Sequence, residues 1–596
     1  MEAGTIPAAE ASTGSKTMAD LAALAAKKHA GSPAARYKRG DEWVDISFDE
    51  LGTAAQEVGL GLIGLGIEKG DKVAILGNTR PAWTFANLGI LASGAASVSI
   101  YQTNSPEECH YVLDHSESRA VVVEDGEQLA KIREIESDLP SLEIVIVMAP
   151  DGDIGDALSL DDLRARGRER DASELEERSA SVDPEDAAVF IYTSGTTGPP
   201  KGCILTHNNY RSMTSMVVSQ GVLSKGELTY LFLPLAHAFA LLIQFVAVDL
   251  GGTIAYWEKD PKKIVPNLME VKPTYFPSVP RIFEKIYTMA RSNTPDPAQL
   301  DEAAQVGMKV RQMQERGEDV PAELQEAFDK AEEALFVNVR NLFGGRIRQC
   351  VTGAAPIAKE ILEFFYACGV PIMEGYGMTE TSTSATVNVP DDCRFGSVGK
   401  AIPGVKVKIA DDGEVLLKGE NIFKGYYKNP EATRSTLVDG WLHTGDLGHL
   451  DDDGFLYITG RKKDIIITAG GKNNTPANLE NGLKQNRWIS QAVVIGDRRP
   501  YLVALITLDP EEVPAFAEEH GLEPDQVPDS EEMRAEVQKV VDEVNNKVGR
   551  VEQVKKFKIL PHDLSQETGE LTPTMKVKRN VVNEKFAADV EALYSG

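Results

Sequence analysis

From Asp71 onward, short and mostly apolar runs alternate with longer stretches in which apolar positions recur every three or four residues. The runs are Val73-Ala74-Ile75-Leu76, Ala96-Ser97-Val98-Ser99-Ile100, Ala120-Val121-Val122-Val123 and Ile144-Val145-Ile146-Val147. Between them, Pro81 to Leu91, Pro106 to Leu113 and Gln128 to Glu136 carry the helical period. Strands that are apolar on both faces and alternate with helices predict an α/β protein, with parallel sheets covered by helices. Ligands of such folds sit at the carboxyl ends of the strands.

Earlier in the chain, residues up to about Met18 are small and polar and predict a frayed terminus. Ser47-Phe48-Asp49-Glu50 reads as a helix start, with the helix running to the glycines near Gly64. Within it, Gly59-Leu60-Gly61-Leu62-Ile63-Gly64 matches the GxGxxG pattern, but it ends a helix instead of opening one, so a dinucleotide site is rejected. Residues 151–186 are charged and predict a solvated connection with helical patches near Leu160 and Leu175. Pro273 to Pro280 is aromatic and apolar, suited either to line an apolar tunnel or to pack a core. Residues 297–338 favour a surface helical hairpin broken near Gly317 and Pro321. Beyond Arg461, Ile465-Ile466-Ile467, Ala492 to Ile495 and Leu502 to Ile506 predict strands, and Arg534 to Lys547 a helix.

Composition narrows the partners. The chain has 596 residues and a net charge of −29, so it is long enough for more than one core and too acidic to be a nucleic-acid binder. Five scattered cysteines without a CxxC spacing argue for a reducing compartment and against a zinc site. Cys203 is expected as a small buried side chain. No apolar run reaches the length of a membrane span, and Leu21 to Ala26 is too short for a signal peptide, which predicts a cytoplasmic protein with peripheral membrane contact left open.

The chemistry concentrates in a few segments. After the apolar run Ala187 to Ile191 come Tyr192-Thr193-Ser194-Gly195-Thr196-Thr197-Gly198-Pro199-Pro200-Lys201-Gly202. Glycines let backbone N–H groups approach an anion, and four hydroxyls and a lysine add donors and charge, so this is a candidate phosphate loop. It is not the common P-loop, because Gly202 follows Lys201. Further on, Leu235-Ala236-His237 sets a histidine beside an apolar run, and Thr352-Gly353-Ala354-Ala355-Pro356 offers small residues after a strand. In Glu374-Gly375-Tyr376-Gly377-Met378-Thr379-Glu380, an aromatic ring between glycines is free to stack on a purine. A hydroxyl and a carboxylate follow it closely. Trp441 to Asp446 is followed by Gly460-Arg461-Lys462-Lys463-Asp464, and Leu571-Thr572-Pro573-Thr574-Met575-Lys576 lies near the C-terminus.

These six segments, in this order and spread over nearly the whole chain, resemble the adenylate-forming superfamily of acyl-CoA synthetases, luciferases and peptide-synthetase adenylation domains. The resemblance implies a large N-terminal domain over residues 1–460, a hinge at 461–464 pivoting at Lys463, and a small mobile α+β domain over 465–596. It implies that Thr193, Ser194, Gly195, Thr196, Thr197 and Lys201 bind phosphates, and that Thr193 and Glu380 hold Mg²⁺. Gly353, Ala354 and Ala355, with Gly375, Tyr376 and Gly377, would wall the adenine and acyl pockets. Thr379 would contact the α-phosphate, Asp446 the ribose and Arg461 the nucleotide. His237 would line the site near the acyl carboxylate, and Lys576 would bridge carboxylate and α-phosphate.

Gly460 to Asn473, the helical insert and Leu571 to Lys576 look most like long-chain fatty acid–CoA ligases. The implied substrates are a fatty acid, ATP and coenzyme A, with the protein a monomer or homodimer. A ligase for another carboxylic acid, or a luciferase-like oxygenase sharing the adenylation half, stays open at this point. Ala240-Leu241 and Asn474-Thr475-Pro476 depart from the long-chain pattern.

Overall fold

The computed structural model of the protein describes residues 10, 12–193, 199–292, 297–469, 473–572 and 575–595. The alternating pattern resolves into two helix-covered sheets. Across the first, neighbouring strands are Gly425–Tyr426, Lys201–Thr206, Ala187–Thr193, Ala96–Ile100, Lys72–Leu76, Ala120–Val123, Ile144–Val147 and Leu158–Ser159. From Ala187–Thr193 to Leu158–Ser159 every pairing is parallel. The second runs Lys400–Ala401, Thr386–Val387, Ile372–Tyr376, Gln349–Thr352, Tyr275–Ser278, Leu228–Leu231, Thr253–Tyr256, Pro33–Arg39 and Glu42–Ser47. It is parallel from Ile372–Tyr376 to Pro33–Arg39. Val73, Ile75 and Val122 from one sheet share a core with Leu231, Tyr275 and Met373 from the other. In the apolar stretch ending at Pro280, Tyr275 and Phe276 are fully buried and pack in the core.

The helix Phe48–Gly64 begins at a capping box in which the Ser47 side chain and Glu50 satisfy each other's backbone N–H. Its glycines have a packing role. A Cβ on Gly61 would lie 2.4 Å from the Leu163 carbonyl, and one on Gly167 would lie 1.9 Å from the Glu57 carbonyl. The two backbones therefore touch where Phe48–Gly64 crosses Leu160–Arg168. This corrects the reading of 151–186 as a solvated connection. It forms the helices Leu160–Arg168 and Ala172–Ala180, whose Leu163 and Leu175 are buried. The N-terminus is also corrected from Ser12 onward. Asp249 is buried and draws in the Thr13 backbone N–H at 3.1 Å and Arg211 at 2.9 Å, which ties the segment down.

An antiparallel sheet of Lys406–Ile409, Glu414–Lys418, Trp441–Leu450 and Leu456–Arg461 follows. The C-terminal part builds its own core from Leu483, Ile506, Val537 and Phe557, around the strands Ile489–Ile495, Leu502–Leu508 and Val554–Ile559. Its described core residues all lie at or beyond Ile466. Val554–Ile559, which pairs in parallel with Leu502–Leu508, escapes the sequence pattern because lysines interrupt it. Among the described residues no helix is long and apolar enough to cross a membrane.

Gly61→Ala is expected to destabilise the protein by about 1–3 kcal/mol, the usual cost of forcing an atom into a packed contact. Gly152→Ala, where nothing lies within 4 Å of the new Cβ, is expected to be neutral. Paired thermal melts check both.

Candidate active site

The candidate site lies at the carboxyl ends of the parallel strands. Ala187–Thr193 and Lys201–Thr206 form an antiparallel hairpin in which Thr193 faces Lys201. Ser194, Gly195, Thr196 and Thr197 lie outside the described residues. The Lys201 ammonium sits 4.9 Å from the centre of the Tyr426 ring. The Tyr426 hydroxyl donates to Glu380 Oε1 at 2.7 Å. One tyrosine thus joins the loop lysine to the candidate metal carboxylate. Cys203 is buried between Thr193 and Glu380, and burial pushes its thiol well above the ordinary range, so it is no nucleophile.

Tyr376 ends the strand Ile372–Tyr376, so the glycine-flanked motif lies on the strand itself and not after it. Its hydroxyl donates to Asp446 Oδ2 at 2.7 Å, and Arg461 Nε reaches Asp446 Oδ1 at 3.1 Å. Asp446 and Arg461 face each other in the pairing of Trp441–Leu450 with Leu456–Arg461, which sets that contact. Gly377 is obligatory here: a Cβ would stand 2.0 Å from the Thr383 carbonyl. A Cβ on Gly353 would lie 3.2 Å from the Gly375 carbonyl, and Ala354 adopts φ +69°, so this small-residue turn packs against the strand Ile372–Tyr376. Ala355 follows in the same turn and is exposed. Thr379 is buried at the start of the tight turn Thr379–Thr381. Burial pushes the Glu374 carboxyl up to about 8.

His237 caps the helix Ala238–Leu250: its Nδ1 accepts the Phe239 backbone N–H at 3.2 Å. That bond assigns the ring proton to Nε2. Burial, then the charge on Lys576, pushes the imidazole down to about 4, so it is neutral at physiological pH. Lys576 itself projects from a hairpin closed by the Leu571–Val577 bridge. There the Thr572 N–H donates to the Lys576 carbonyl at 2.8 Å and the Lys576 N–H to Thr572 Oγ1 at 3.0 Å. Burial and then the neighbouring Arg461 push its ammonium down to about 8, against the pull of Asp446 and Glu380. The structure therefore brings together Lys576, Arg461, Asp446, Glu380 and His237. Lys463 is exposed, one residue past Lys462, and makes no part of this cluster.

Two residues escaped the sequence reading. Tyr426 is one, and the aromatic pair after Gly425 was its available signal. Glu414 is the other. Burial works against its charge, but the Gly445 N–H at 2.8 Å, His443 and Lys462, each at 3.2 Å, hold the carboxyl below the usual range. It holds the backbone at Gly445, next to Asp446, in the strand Trp441–Leu450. Nothing in its local sequence marks it. The C-terminal part is seated by ion pairs from the helix Pro280–Ser292, Arg281 with Asp509 and Lys285 with Glu511.

Residues 23–427 match the model of the AMP-binding enzyme family, and residues 463–596 match that of the AMP-binding enzyme C-terminal domain. The chain belongs to the AMP-binding enzyme family. Relatives of this AMP-binding enzyme include the long-chain-fatty-acid–CoA ligase FadD15 of Mycobacterium bovis. It is 40% identical, with 93% of each chain covered. The long-chain-fatty-acid–CoA ligase ACSBG2 of Homo sapiens is 33% identical over 94% of this chain and 90% of its own. Among solved structures, the adenylation domain of the carboxylate reductase from Mycobacterium chelonae shares the fold, with a TM-score of 0.79 at 22% identity, covering 99% of this chain and 94% of that one.

Replacing Arg281 and Lys285 together by alanine is expected to shift the melting temperature by only a few degrees, because exposed pairs contribute about 0–1 kcal/mol each. Backbone hydrogen exchange across residues 571–577 is expected to rise, because the hairpin carrying Lys576 loses its seat. Mass-spectrometric exchange measures this, and unchanged exchange would assign the seating elsewhere.

Proposed function

We propose that this AMP-binding enzyme activates a long-chain fatty acid with ATP, releasing pyrophosphate, and transfers the acyl group from acyl-AMP to coenzyme A. The observation that carries the reading is the position of Lys576, whose ammonium faces the Arg461–Asp446 pair, Glu380 and His237. A carboxylate attacking the α-phosphorus brings anion to polyanion. The transition state therefore needs preorganised cations and N–H donors. Lys576 supplies one beside the reacting oxygens, and Lys201 another at the departing phosphates. Tyr376 stacks on adenine, Asp446 accepts the ribose hydroxyls, and Arg461 orients Asp446 while contacting the nucleotide. Thr379 donates to the α-phosphate. Gly353, Ala354 and Ala355, with Gly375 and Gly377, let the flat ring and acyl chain approach backbone. His237, neutral and with its free N–H on Nε2, is suited to donate to the acyl carboxylate, not to remove a proton.

Among the described residues no group of three or more His, Cys, Asp or Glu side chains is arranged to hold a metal by itself. One carboxylate and one hydroxyl, from Glu380 and Thr193, are a hard oxygen donor set that fits Mg²⁺, which keeps water and phosphate ligands. Glu380 and Thr193 would hold it, and it would neutralise charge on the phosphates.

Transfer to the thiol needs Lys576 withdrawn. We assign residues 1–460 to the nucleotide and acyl domain, 461–464 to a hinge pivoting at Lys463, and 465–596 to a small domain that turns between the half-reactions. Lys462 Nζ lies 3.2 Å from Glu414 on the large-domain side, while Asp464 Oδ2 lies 4.0 Å from Arg579 on the other. Both contacts support a pivot between them. The long-chain preference rests on the names of the relatives.

Lys576→Ala is expected to lower acyl-AMP formation at least about a hundredfold, the scale of losing one preorganised charge-stabilising group. Conversion of supplied acyl-AMP to acyl-CoA should persist. Pyrophosphate release from ATP and palmitate, and thioester formation from palmitoyl-AMP, measure the two steps separately; equal loss of both would sink the assignment.

A further inference from the structure

The helix Pro106–Ser116 lies behind the phosphate-loop hairpin, on the face opposite Glu380. It is fixed at its start by a Ser105/Glu108 capping box and Pro106, and Cys109, Val112 and Leu113 bury it against the first sheet. Two of its side chains, one turn apart, reach the hairpin. The Tyr111 hydroxyl donates to the Pro200 carbonyl at 2.9 Å, immediately before the strand Lys201–Thr206 that leaves the loop. His115 Nδ1 shares a 2.9 Å hydrogen bond with the hydroxyl of Tyr192, the last residue before Thr193. The Tyr111 and His115 rings stack at 5.4 Å, and both meet the Tyr192 ring edge-on. The Tyr192 ring in turn lies across Gly202, where a Cβ would stand 3.0 Å from it. Tyr427 closes the cage: its N–H donates to the Gly202 carbonyl at 2.8 Å, and its ring meets His115 edge-on.

We propose that Tyr111 and His115 are positioning residues for ATP: they clamp the entering and leaving strands of the phosphate loop and so fix Thr193 and Lys201 for the triphosphate. This rests on the adenylation reading above. Neither side chain touches the nucleotide face of the sheet, since Tyr192 points away from Thr193. Burial and the nearby Lys428 charge lower the His115 pKa, which keeps the ring neutral and able to share the Tyr192 bond. Lys428 Nζ also donates to the His115 carbonyl at 3.0 Å, and Glu117 joins Lys428 to the Tyr427 hydroxyl. The clamp is thus braced from Tyr427 and Lys428, just past the strand Gly425–Tyr426, as well as from the helix.

The test separates the two half-reactions. Tyr111→Phe, which removes only a hydroxyl, and His115→Leu are each expected to raise the ATP KM of acyl-AMP formation about three- to tenfold, the range for one lost hydrogen bond. CoA-dependent consumption of supplied palmitoyl-AMP should be unchanged, because that step does not use the triphosphate. His115→Asn keeps a polar atom near the place of Nδ1 and is expected to restore the ATP KM to within about twofold. An unchanged ATP KM in both variants, or an equal fall in both half-reactions, would overturn the clamp while leaving the adenylation reading intact. A wild-type protein that releases no pyrophosphate from ATP and palmitate would overturn both.

Discussion

A cation partly shielded from water, beside another cation, is the contact on which the site depends. Lys576 comes from a hairpin near the C-terminus and stands next to Arg461, a placement that lowers its proton affinity. Asp446 and Glu380 offset part of that cost, and each is itself held. Asp446 receives Tyr376 and Arg461, and Glu380 receives Tyr426. Two adjacent cations repel each other in the absence of an anion, and an anion bound between them would relieve that repulsion. The lysine sits on a part of the chain that builds a core of its own.

Holding these groups within reach of each other needs close backbone approach. Gly377 stands against the Thr383 carbonyl, where a side chain would clash, and Gly353 lies close to the Gly375 carbonyl, bringing the ends of neighbouring strands together. Gly61 and Gly167 do the same work between two helices far from the site. Glycine clusters in this protein therefore mark tight contact in general, and only some of them mark nucleotide chemistry.

That distinction sets how much could be read beforehand. The parallel strands were legible because Ala96–Ile100 and Ala120–Val123 are buried on both faces and their sequences carry no charged residue, with small serines as the only polar side chains. The family was legible because its motifs keep chemically odd residues in fixed order, such as an aromatic between glycines at Tyr376. Partners that act through a side chain from another element were not. Tyr426 and Glu414 lie outside the quoted motifs, and their roles appear only when strands distant in sequence are paired. The segment from Ser12 to about Met18 read as a frayed terminus because its anchor, Asp249, lies at the far end of a helix. Val554–Ile559 was hidden by lysines that lie along a strand whose Val554, Phe557 and Ile559 are buried.

The account stands on Lys576 lying inside the cluster in the folded protein. The most direct measurement is the pH dependence of its labelling by an amine-reactive reagent, quantified by peptide mass spectrometry with and without ATP. Because its pKa is lowered, the neutral and reactive amine should appear as pH rises through about 8, and ATP should protect it. Titration like a free lysine, near about 10.4, with no protection by ATP, would contradict the account.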